Sequence, residues 1–252
     1  MDTAKKINIR GLWFLPIAKE NISALIKELL SNDKCSVIYT PNAEIAYDAT
    51  KNDELCSLLN RADILLPDGE GIILASKILK KRIREKIAGV EFGEAIAQVS
   101  AQTGHTMYIL GGRPGIARTA ADNLMNKYPG LKIVGTHDGY FQKDGDENDG
   151  VIKAINDCHP DVLFVCFGAP MQEKWTDVNK IYLNSIKIIA CLGGSTDVYA
   201  GVEKRAPRIM ISMKIEWLYR LIKHPDRIKR MTKLPKYIFT TFLYRFGIGG
   251  SK

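Results

Sequence analysis

Residues 106–128, TMYILGGRPGIARTAADNLMNKY, decide the fold class of this chain. The stretch opens with an unbroken apolar run that predicts a strand over 106–112, and it then turns through three glycines and a proline. Apolar residues at helical spacing follow, which predicts a helix over 115–128. A strand that is apolar on both faces is typical of a parallel sheet covered by helices on each side. The unit therefore indicates an α/β fold.

The same alternation of apolar strands and helical segments extends over most of the chain. Further runs that predict strands are CSVIYT (35–40), ILLP (64–67), LKIVGT (131–136), VLFVCFG (162–168) and IKIIACLGG (186–194). We therefore predict a mostly parallel sheet with helices on both faces, built by residues 1–201. In such sheets ligands bind outside the carboxyl ends of the strands, so the residues that follow each strand are candidates for a site.

The last fifth of the chain has a different character. Residues 202–252 hold 13 lysines and arginines against 3 acidic residues, a net charge of +10, whereas residues 1–201 carry −2. The segment shows no strand-like alternation, contains Pro225 and Pro235, and mixes aromatic residues with basic ones, as interfacial helices do. We predict a C-terminal basic helical appendage, 202–252, broken at the prolines. Its charge favours an anionic partner: a membrane surface, a nucleic acid or a phosphorylated substrate.

Composition narrows the class of protein further. Of 252 residues, 46% are hydrophobic and 25% charged, as in ordinary globular proteins. The five cysteines are scattered and form no CxxC pair, which favours buried free thiols in a reducing compartment. The start, MDTAKKINIR, lacks the apolar core of a secretory signal, and no apolar stretch approaches the ~18–20 residues that span a bilayer. We expect a protein that is cytosolic or bound to a membrane surface from the cytosolic side.

Asp68 is the first candidate among the strand-end residues. In ADILLPDGEGI (62–72) an apolar run stops at this aspartate, which stands between a proline and a glycine. One interpretation makes Asp68 the cap of the following helix. The other makes it a general base at the carboxyl end of a strand. Polar clusters also follow four further predicted strands, and this convergence favours the second interpretation.

Two other motifs bear on ligands. The turn LGGRPG (110–115) suits a diphosphate, because glycines allow close approach and a helix N-terminus supplies N–H donors, but a plain tight turn is an equally good account. The acidic stretch QKDGDENDG (142–150) does not match a calcium loop, and its Asp144 and Asp146 lie away from any predicted strand end. We interpret this stretch as a solvated turn and expect no metal site. No Walker lysine motif and no Ser-His-Asp grouping is legible, which argues against phosphoryl transfer and covalent acyl chemistry.

Seven motifs, in the same order along the chain, carry a resemblance to a known family. They are TPNAE (40–44), PDGEGI (67–72), LGGRPG (110–115), GYF (139–141), PDVLFVCFGAPMQEKW (160–175), DVYAGVEKRAP (197–207) and EWLYRLIKHPDRIKR (216–230). The chain thereby resembles the WecG/TagA/CpsF family of bacterial glycosyltransferases over nearly its whole length. The resemblance implies a Rossmann-like fold and an inverting, metal-independent transfer of N-acetylmannosamine, or a related sugar, from a UDP donor. The implied acceptor is a polyprenyl-diphosphate-linked N-acetylglucosamine at the cytoplasmic membrane face, in the synthesis of teichoic acid or another surface polysaccharide.

The resemblance also implies roles for individual residues. Asp68 is implied to be the general base that takes a proton from the acceptor hydroxyl. The residues implied to line the sugar site are Thr40, Asn42 and Gln172. Our candidates for the nucleotide and diphosphate are Gly111, Gly112, Arg113, Gly194, Asp197 and Lys86 from the body and Arg220, Arg227 and Arg230 from the appendage, which is implied to close over the donor.

The expected partners follow from this scheme. They are the UDP-sugar donor, the lipid-linked acceptor and an anionic membrane surface; no nucleic acid and no cofactor are expected, since the UDP-sugar is a substrate. Without a metal, arginines and lysines have to neutralise the negative charge on the departing UDP, and the appendage supplies such residues. Self-association into a homo-oligomer is a further expectation, because the apolar faces of the appendage need cover off the membrane.

Four positions depart from the usual pattern of the family. Lys86 stands in place of arginine, Glu91 of aspartate, Met171 of lysine and Thr196 of an aromatic residue. Lysine keeps the charge of arginine but loses its bidentate fork. Met171 and Thr196 are expected near the nucleotide pocket and leave the sugar open, so another UDP-hexose or UDP-N-acetylmannosaminuronic acid is an alternative donor. Two other classes also stay open: a nicotinamide-dependent oxidoreductase, although a complete GxGxxG is missing, and a nucleic-acid-binding protein.

Overall fold

The computed structural model describes residues 5–204, 206–207, 209–210, 213, 219, 222–223 and 228–248. The strands within these residues are β1 (Ile7–Ile9), β2 (Leu12–Phe14), β3 (Ser36–Tyr39), β4 (Ile64–Leu65), β5 (Thr106–Gly111), β6 (Lys132–His137), β7 (Val162–Cys166) and β8 (Ile188–Cys191). The helices are α1 (Ile22–Ser31), α2 (Ala43–Ala49), α3 (Asp53–Asn60), α4 (Glu70–Ile78), α5 (Gly89–Thr103), α6 (Ile116–Lys127), α7 (Gly145–Cys158), α8 (Met171–Asn179), α9 (Ser195–Tyr199), α10 (Ile228–Met231) and α11 (Lys233–Arg245).

The strands form one sheet in the order β1-β2-β4-β3-β8-β7-β5-β6. β1 and β2 are antiparallel, and every other neighbouring pair is parallel, which confirms the predicted α/β fold with a mostly parallel sheet. Pairing across the five strands from β4 to β5 aligns Leu65, Tyr39, Cys191, Val165 and Leu110 in one row. Because parallel strands point the same way, this row brings the carboxyl ends of β4, β3, β8, β7 and β5 to one edge of the sheet.

Helices cover both faces of the sheet, as the unbroken apolar strands predict. In β3, Val37 and Tyr39 pack into the core on one face and Ile38 into the core on the other. Helices α2, α3, α4, α7, α8 and α11 contribute to the first core, and α1, α5, α6 and α9 to the second. A central strand buried on both sides has no polar face, which is why these strands show no period of two.

The β1–β2 hairpin at the edge of the sheet was not predicted from the sequence. Each strand is only three residues long, and the chain reverses through Arg10 and Gly11, at φ of 52° and 88°. The Arg10 guanidinium donates to the carbonyl oxygen of Thr240 at 2.6 Å and lies 4.5 Å from the centre of the Tyr244 ring. The turn is therefore held by α11, more than 200 residues away, and a local sequence pattern cannot show such a contact.

The acidic stretch 142–150 is helical over most of its length, so the prediction of a solvated turn was wrong. α7 begins at Gly145 and carries Asp146 and Glu147 in its first turn. Carboxylates in a first turn are favourable because the N-terminal end of the helix dipole is positive. The same residues that suggested a turn are therefore suited to begin a helix.

α11 lies in the predicted appendage and packs on the body, against α2 and α4. Tyr237 of α11 is fully buried in the core that also contains Ala43 and Ile72. Pro235 lies in the first turn of α11, where its missing N–H leaves no helical hydrogen bond unmade, and the break between α10 and α11 falls three residues before it, at Thr232. Pro225 lies outside the described residues. Among the described helices, none is both long enough and apolar enough to cross a bilayer.

Candidate active site

Asp68 lies three residues beyond the end of β4, at the edge formed by the carboxyl ends of the strands, and is partly exposed. Its backbone N–H donates to the carbonyl oxygen of Pro41 at 3.3 Å, which ties the residue to the end of β3. Gly69, at φ +85°, turns the chain into α4 and occupies the N-cap position of that helix. Asp68 is therefore one residue outside the capping position, and the interpretation of this aspartate as a helix cap loses its basis.

Thr40 and Asn42 follow β3 at the same edge. The Thr40 hydroxyl donates to the carbonyl oxygen of Cys191 at 3.2 Å, so it joins the ends of β3 and β8. The Asn42 Oδ1 atom accepts from the backbone N–H groups of Glu44 and Ile45 at 2.9 and 3.2 Å and caps α2. This oxygen is occupied by the cap, which leaves the Asn42 amide NH₂ as the group that can meet a ligand.

Gln172 and Glu173 lie in the first turn of α8 and are both buried, with 3% and 2% of their surfaces exposed. The Gln172 Oε1 atom accepts from the N–H of Gly193 at 2.9 Å, and its Nε2 donates to Glu173 Oε1 at 2.8 Å. Gly193 lies in the left-handed region, at φ +59°, in the turn after β8. The Gln172 side chain is therefore buried against the turn and holds it through the Gly193 N–H, and it is not exposed to solvent.

Glu173 was not a candidate from the sequence. Burial raises the pKa of its carboxyl group to about 7, from an ordinary value of 4.5, against the smaller opposing effect of the hydrogen bond from Gln172. Its Oε2 atom has no hydrogen-bond partner among the described residues. The signal available in the sequence was an acid placed two residues before Trp175, on a helix that follows a fully apolar strand.

The glycine turn after β5 approaches β7 closely. A Cβ on Gly111 would lie 2.4 Å from the carbonyl oxygen of Cys166, and Gly111 has φ +140°, so a side chain is excluded there. The N–H of Gly112 donates to the same Cys166 oxygen at 3.2 Å, and the Gly112 carbonyl accepts from Gly139 at 2.8 Å. Arg113 is exposed in the turn that leads into α6.

Lys86 lies in the loop that follows α4, and this loop runs beside the turn that contains Asp68. The N–H of Ile87 donates to the carbonyl oxygen of Pro67 at 2.8 Å, which holds this loop beside the Asp68 turn. Lys86 Nζ lies 3.6 Å from Glu70 Oε1, and only 14% of the lysine side chain is exposed. A cation is thus held next to the first turn of α4, and its role toward a diphosphate stays a prediction.

The remaining body candidates lie after β8. Gly194 is the exposed N-cap residue of α9, and a Cβ on it would lie 3.8 Å from Asp197 Oδ2. The Asp197 carbonyl accepts from the N–H of Glu203 at 3.0 Å and so holds the chain that leaves the body. In the described part of the chain, no group of three or more His, Cys, Asp and Glu side chains is placed to hold a metal ion.

The structure thus brings every body candidate to one edge of the sheet. The three arginines assigned to the appendage cannot be placed in the same way. Arg220 and Arg227 lie outside the described residues. Arg230 belongs to α10, but its side chain also lies outside the described part. Their role as a diphosphate clamp stays a prediction.

Comparison with known proteins identifies relatives along nearly the whole chain. The sequence profile of the Glycosyl transferase WecG/TagA/CpsF family matches residues 7–249. The chain is similar to proteins named N-acetylglucosaminyldiphosphoundecaprenol N-acetyl-beta-D-mannosaminyltransferase from three bacteria. The identity is 34% with the Bacillus subtilis protein (90% of this chain and 88% of that protein), 31% with that of Bacillus spizizenii (86% and 82%) and 30% with that of Staphylococcus aureus MRSA252 (93% and 91%).

Family membership excludes the two other classes left open by the sequence, the nicotinamide-dependent oxidoreductase and the nucleic-acid-binding protein, as the main function. The chain belongs to the WecG/TagA/CpsF family of glycosyl transferases.

Proposed function

We propose that this protein is an inverting, metal-independent transferase that moves N-acetylmannosamine from a UDP donor to a polyprenyl-diphosphate-linked N-acetylglucosamine. The names of three relatives, each aligned over more than four fifths of this chain, support the acceptor and the sugar. Another UDP-hexose of the same class is the alternative donor, because Thr196 departs from the usual family pattern. The product would feed a teichoic acid or another surface polymer.

The position of Asp68 carries this proposal. A partly exposed carboxylate at the carboxyl end of β4, with Thr40 and Lys86 around the same corner, suits a base that removes the proton from an attacking hydroxyl. The oxygen of the acceptor then bonds to the anomeric carbon as the bond from that carbon to the UDP oxygen breaks. The proton goes to the Asp68 carboxylate, and the electron pair leaves with UDP. One displacement of this kind inverts the anomeric centre.

The departing diphosphate needs positive charge and hydrogen-bond donors. The Gly111–Gly112 turn leads into α6, a helix of twelve residues whose N-terminus offers unpaired N–H groups and a positive dipole. Gly115, the N-cap residue of this helix, has nothing within 4 Å of the position of a Cβ, so a phosphate can approach the backbone there. The predicted arginines of the appendage complete the neutralisation in this scheme, as a clamp brought over the donor.

The acceptor is a membrane lipid in this proposal, so the protein has to work at a surface. α11 buries Tyr237 against the body and exposes Phe239, Phe242 and Phe246 by 63%, 50% and 59%. Exposed aromatic residues on a helix that also carries lysine and arginine are typical of peripheral binding to anionic membranes. We infer that this face of α11 contacts the inner leaflet.

The experiment that tests the function measures UDP release from UDP-N-acetylmannosamine with a short-chain lipid diphosphate–GlcNAc acceptor, in the presence of EDTA. Asp68→Asn is expected to lower the rate by ~10²–10⁴-fold without a change in melting temperature, because it removes only the base. The matched control is Asp177→Asn. It removes a carboxylate on α8 that forms an ion pair with Arg61, and it should keep the wild-type rate. Turnover by Asp68→Asn at the wild-type rate would remove this residue from the mechanism, and inhibition by EDTA would overturn metal independence.

A further inference from the structure

Glu173 is a buried acid that the mechanism above does not use. Its carboxyl group makes a single side-chain hydrogen bond, from Gln172 Nε2 at 2.8 Å, and Oε2 has no partner among the described residues. No described lysine or arginine pairs with it. A buried carboxyl oxygen without a partner destabilises a fold, so its presence requires an explanation.

The explanation lies in the orientation of the Gln172 side chain. An amide has a donor end and an acceptor end, and only one of its two orientations satisfies both neighbours here. With Nε2 toward Glu173, the Oε1 atom faces Gly193 and accepts from its N–H at 2.9 Å. With the amide reversed, an NH₂ group would face the Gly193 N–H, and two donors would oppose each other.

We propose that Glu173 is a positioning residue that acts through Gln172 to hold the Gly193–Gly194 turn in the conformation that receives the donor diphosphate. The assignment of the diphosphate to this turn rests on the proposed function. A carboxylate is an acceptor only, so ionised Glu173 imposes the amide orientation that bonds Gly193. A protonated carboxyl group can donate to the amide oxygen instead, which permits the reversed amide and releases the turn.

The titration that controls this arrangement falls near neutral pH. Burial raises the pKa of Glu173 to about 7. Tyr39 from β3 and Cys191 from β8 face it, and burial keeps both neutral by raising their pKa values far above this range. On β7, burial raises the pKa of Cys166 to about 12.

Other charged groups near α8 do not titrate in the same range. On α8 itself, Asp177 pairs with Arg61, which lies at the end of α3, and with Lys180; these partners hold the pKa of the Asp177 carboxyl group below its usual value. None of β3, β7, β8, α3 and α8 contains a histidine. A transition near pH 7 at the Gly193 turn is therefore expected to come from Glu173.

The chain offers a direct way to observe the Gly193 turn. Leucine precedes glycine at only two places, Leu110–Gly111 and Leu192–Gly193. Labelling with ¹³C-carbonyl leucine and ¹⁵N-glycine therefore selects two amide signals in a carbonyl-filtered NMR spectrum. We expect the Gly193 signal to shift between pH 5.5 and 8.5 with a midpoint near 7, while the Gly111 signal, which has no contact with Glu173, stays in place.

The matched variants separate Glu173 from other groups. Glu173→Gln keeps the shape and cannot titrate, so the Gly193 transition should vanish; Asp177→Asn, on the same helix, should keep it. A Gly193 signal that does not move in the wild type, or a transition that persists in Glu173→Gln, overturns the proposal. If Glu173→Gln does not fold, the presence or absence of the Gly193 transition in the wild-type protein alone decides the proposal.

A second experiment measures the binding of UDP-N-acetylmannosamine by calorimetry. The diphosphate of this sugar nucleotide is doubly esterified, so its charge stays constant between pH 6 and 8. The wild-type protein should bind this ligand about three- to tenfold more tightly at pH 8 than at pH 6, which corresponds to a change of about half to one unit in the pKa of Glu173 on binding. The affinity of Glu173→Gln should not depend on pH. A Gly193 transition without any binding of the UDP-sugar would confirm the positioning of the turn and refute the proposed donor. Binding that varies with pH equally in Glu173→Gln and wild type would overturn the role of Glu173 in the site.

Discussion

The energetic consequence of burying Glu173 can be measured without any substrate. Its pKa of about 7 in the folded protein exceeds the ordinary value of 4.5 by about 2.5 units, and each unit corresponds to about 1.4 kcal/mol. The folded state therefore binds the proton more tightly than the unfolded state. Glu173 leaves stability intact below pH 4.5 and lowers it progressively as the pH rises to about 7. The total loss is about 3 kcal/mol, of which ~2 kcal/mol falls between pH 5 and 8.

Glu173→Gln removes this dependence, because an amide is neutral at every pH in the range and has nearly the same shape. Urea unfolding of wild type and variant, followed by circular dichroism at half-unit steps from pH 5 to 8, gives the free energy of unfolding of each. Other acids titrate equally in both proteins and cancel in the difference. We expect the variant to gain ~2 kcal/mol relative to wild type across this range. A difference that stays constant within the error of the measurement would show that Glu173 is not the buried titrating group.

Three further sets of substitutions test the glycine turn, the helix caps and the exposed face of α11. Gly111→Ala places a Cβ 2.4 Å from the Cys166 carbonyl oxygen and should lower the free energy of unfolding by at least ~2 kcal/mol in urea, whereas Gly150→Ala, with no atom within 4 Å, should not destabilise. Asn42→Ala and Asn52→Ala each remove a helix cap and should each lose about 1 kcal/mol of unfolding free energy, but only Asn42→Ala should also slow transfer in the UDP-release assay. Phe239→Ser combined with Phe242→Ser should weaken sedimentation with anionic vesicles and leave the melting temperature unchanged, because both side chains are exposed; unchanged sedimentation would exclude this face of α11 from membrane contact.

The main features of the sheet could be predicted because they depend on local patterns. Strand β7 is apolar at every position and β3 is apolar after Ser36, and Thr40 and Asn42 follow β3 as Gly168 follows β7. The parallel sheet and the edge at which its strands end are therefore legible in the sequence. The placement of Lys86 near Asp68 depends on the hydrogen bond between Ile87 and Pro67. The spacing of residues in the sequence could not predict this contact. Asn42 and Gln172 were assigned to the sugar site by resemblance, and the structure shows that each also has a local task, capping α2 and holding Gly193.

The burial of Glu173 could not be predicted, for a physical reason. On a solvent-facing helix the same acid would be an ordinary first-turn carboxylate, favourable to the helix dipole. Its altered pKa arises because α8 lies over β3 and β8, where the Tyr39 hydroxyl donates to the Glu173 carbonyl at 3.2 Å. These neighbours are more than 100 residues and about 20 residues away in the chain. Such a shift is a property of packing, and only the assembled sheet reveals it.

The four departures from the family pattern do not bear equally on donor choice. Glu91 forms an ion pair with Lys19 at 2.8 Å near the surface, and Met171 is half-exposed at the start of α8, so neither shapes the glycine turns. Thr196 is fully buried, and its hydroxyl lies 3.2 Å from the position of a Cβ on Gly112. An aromatic side chain cannot enter this space unless the Gly112 turn moves, because a packed interior leaves no room for several additional atoms. Where a family member carries an aromatic residue at this position, as the resemblance implies, a difference in sugar preference from this protein is therefore expected to originate at the turn that contains Gly112.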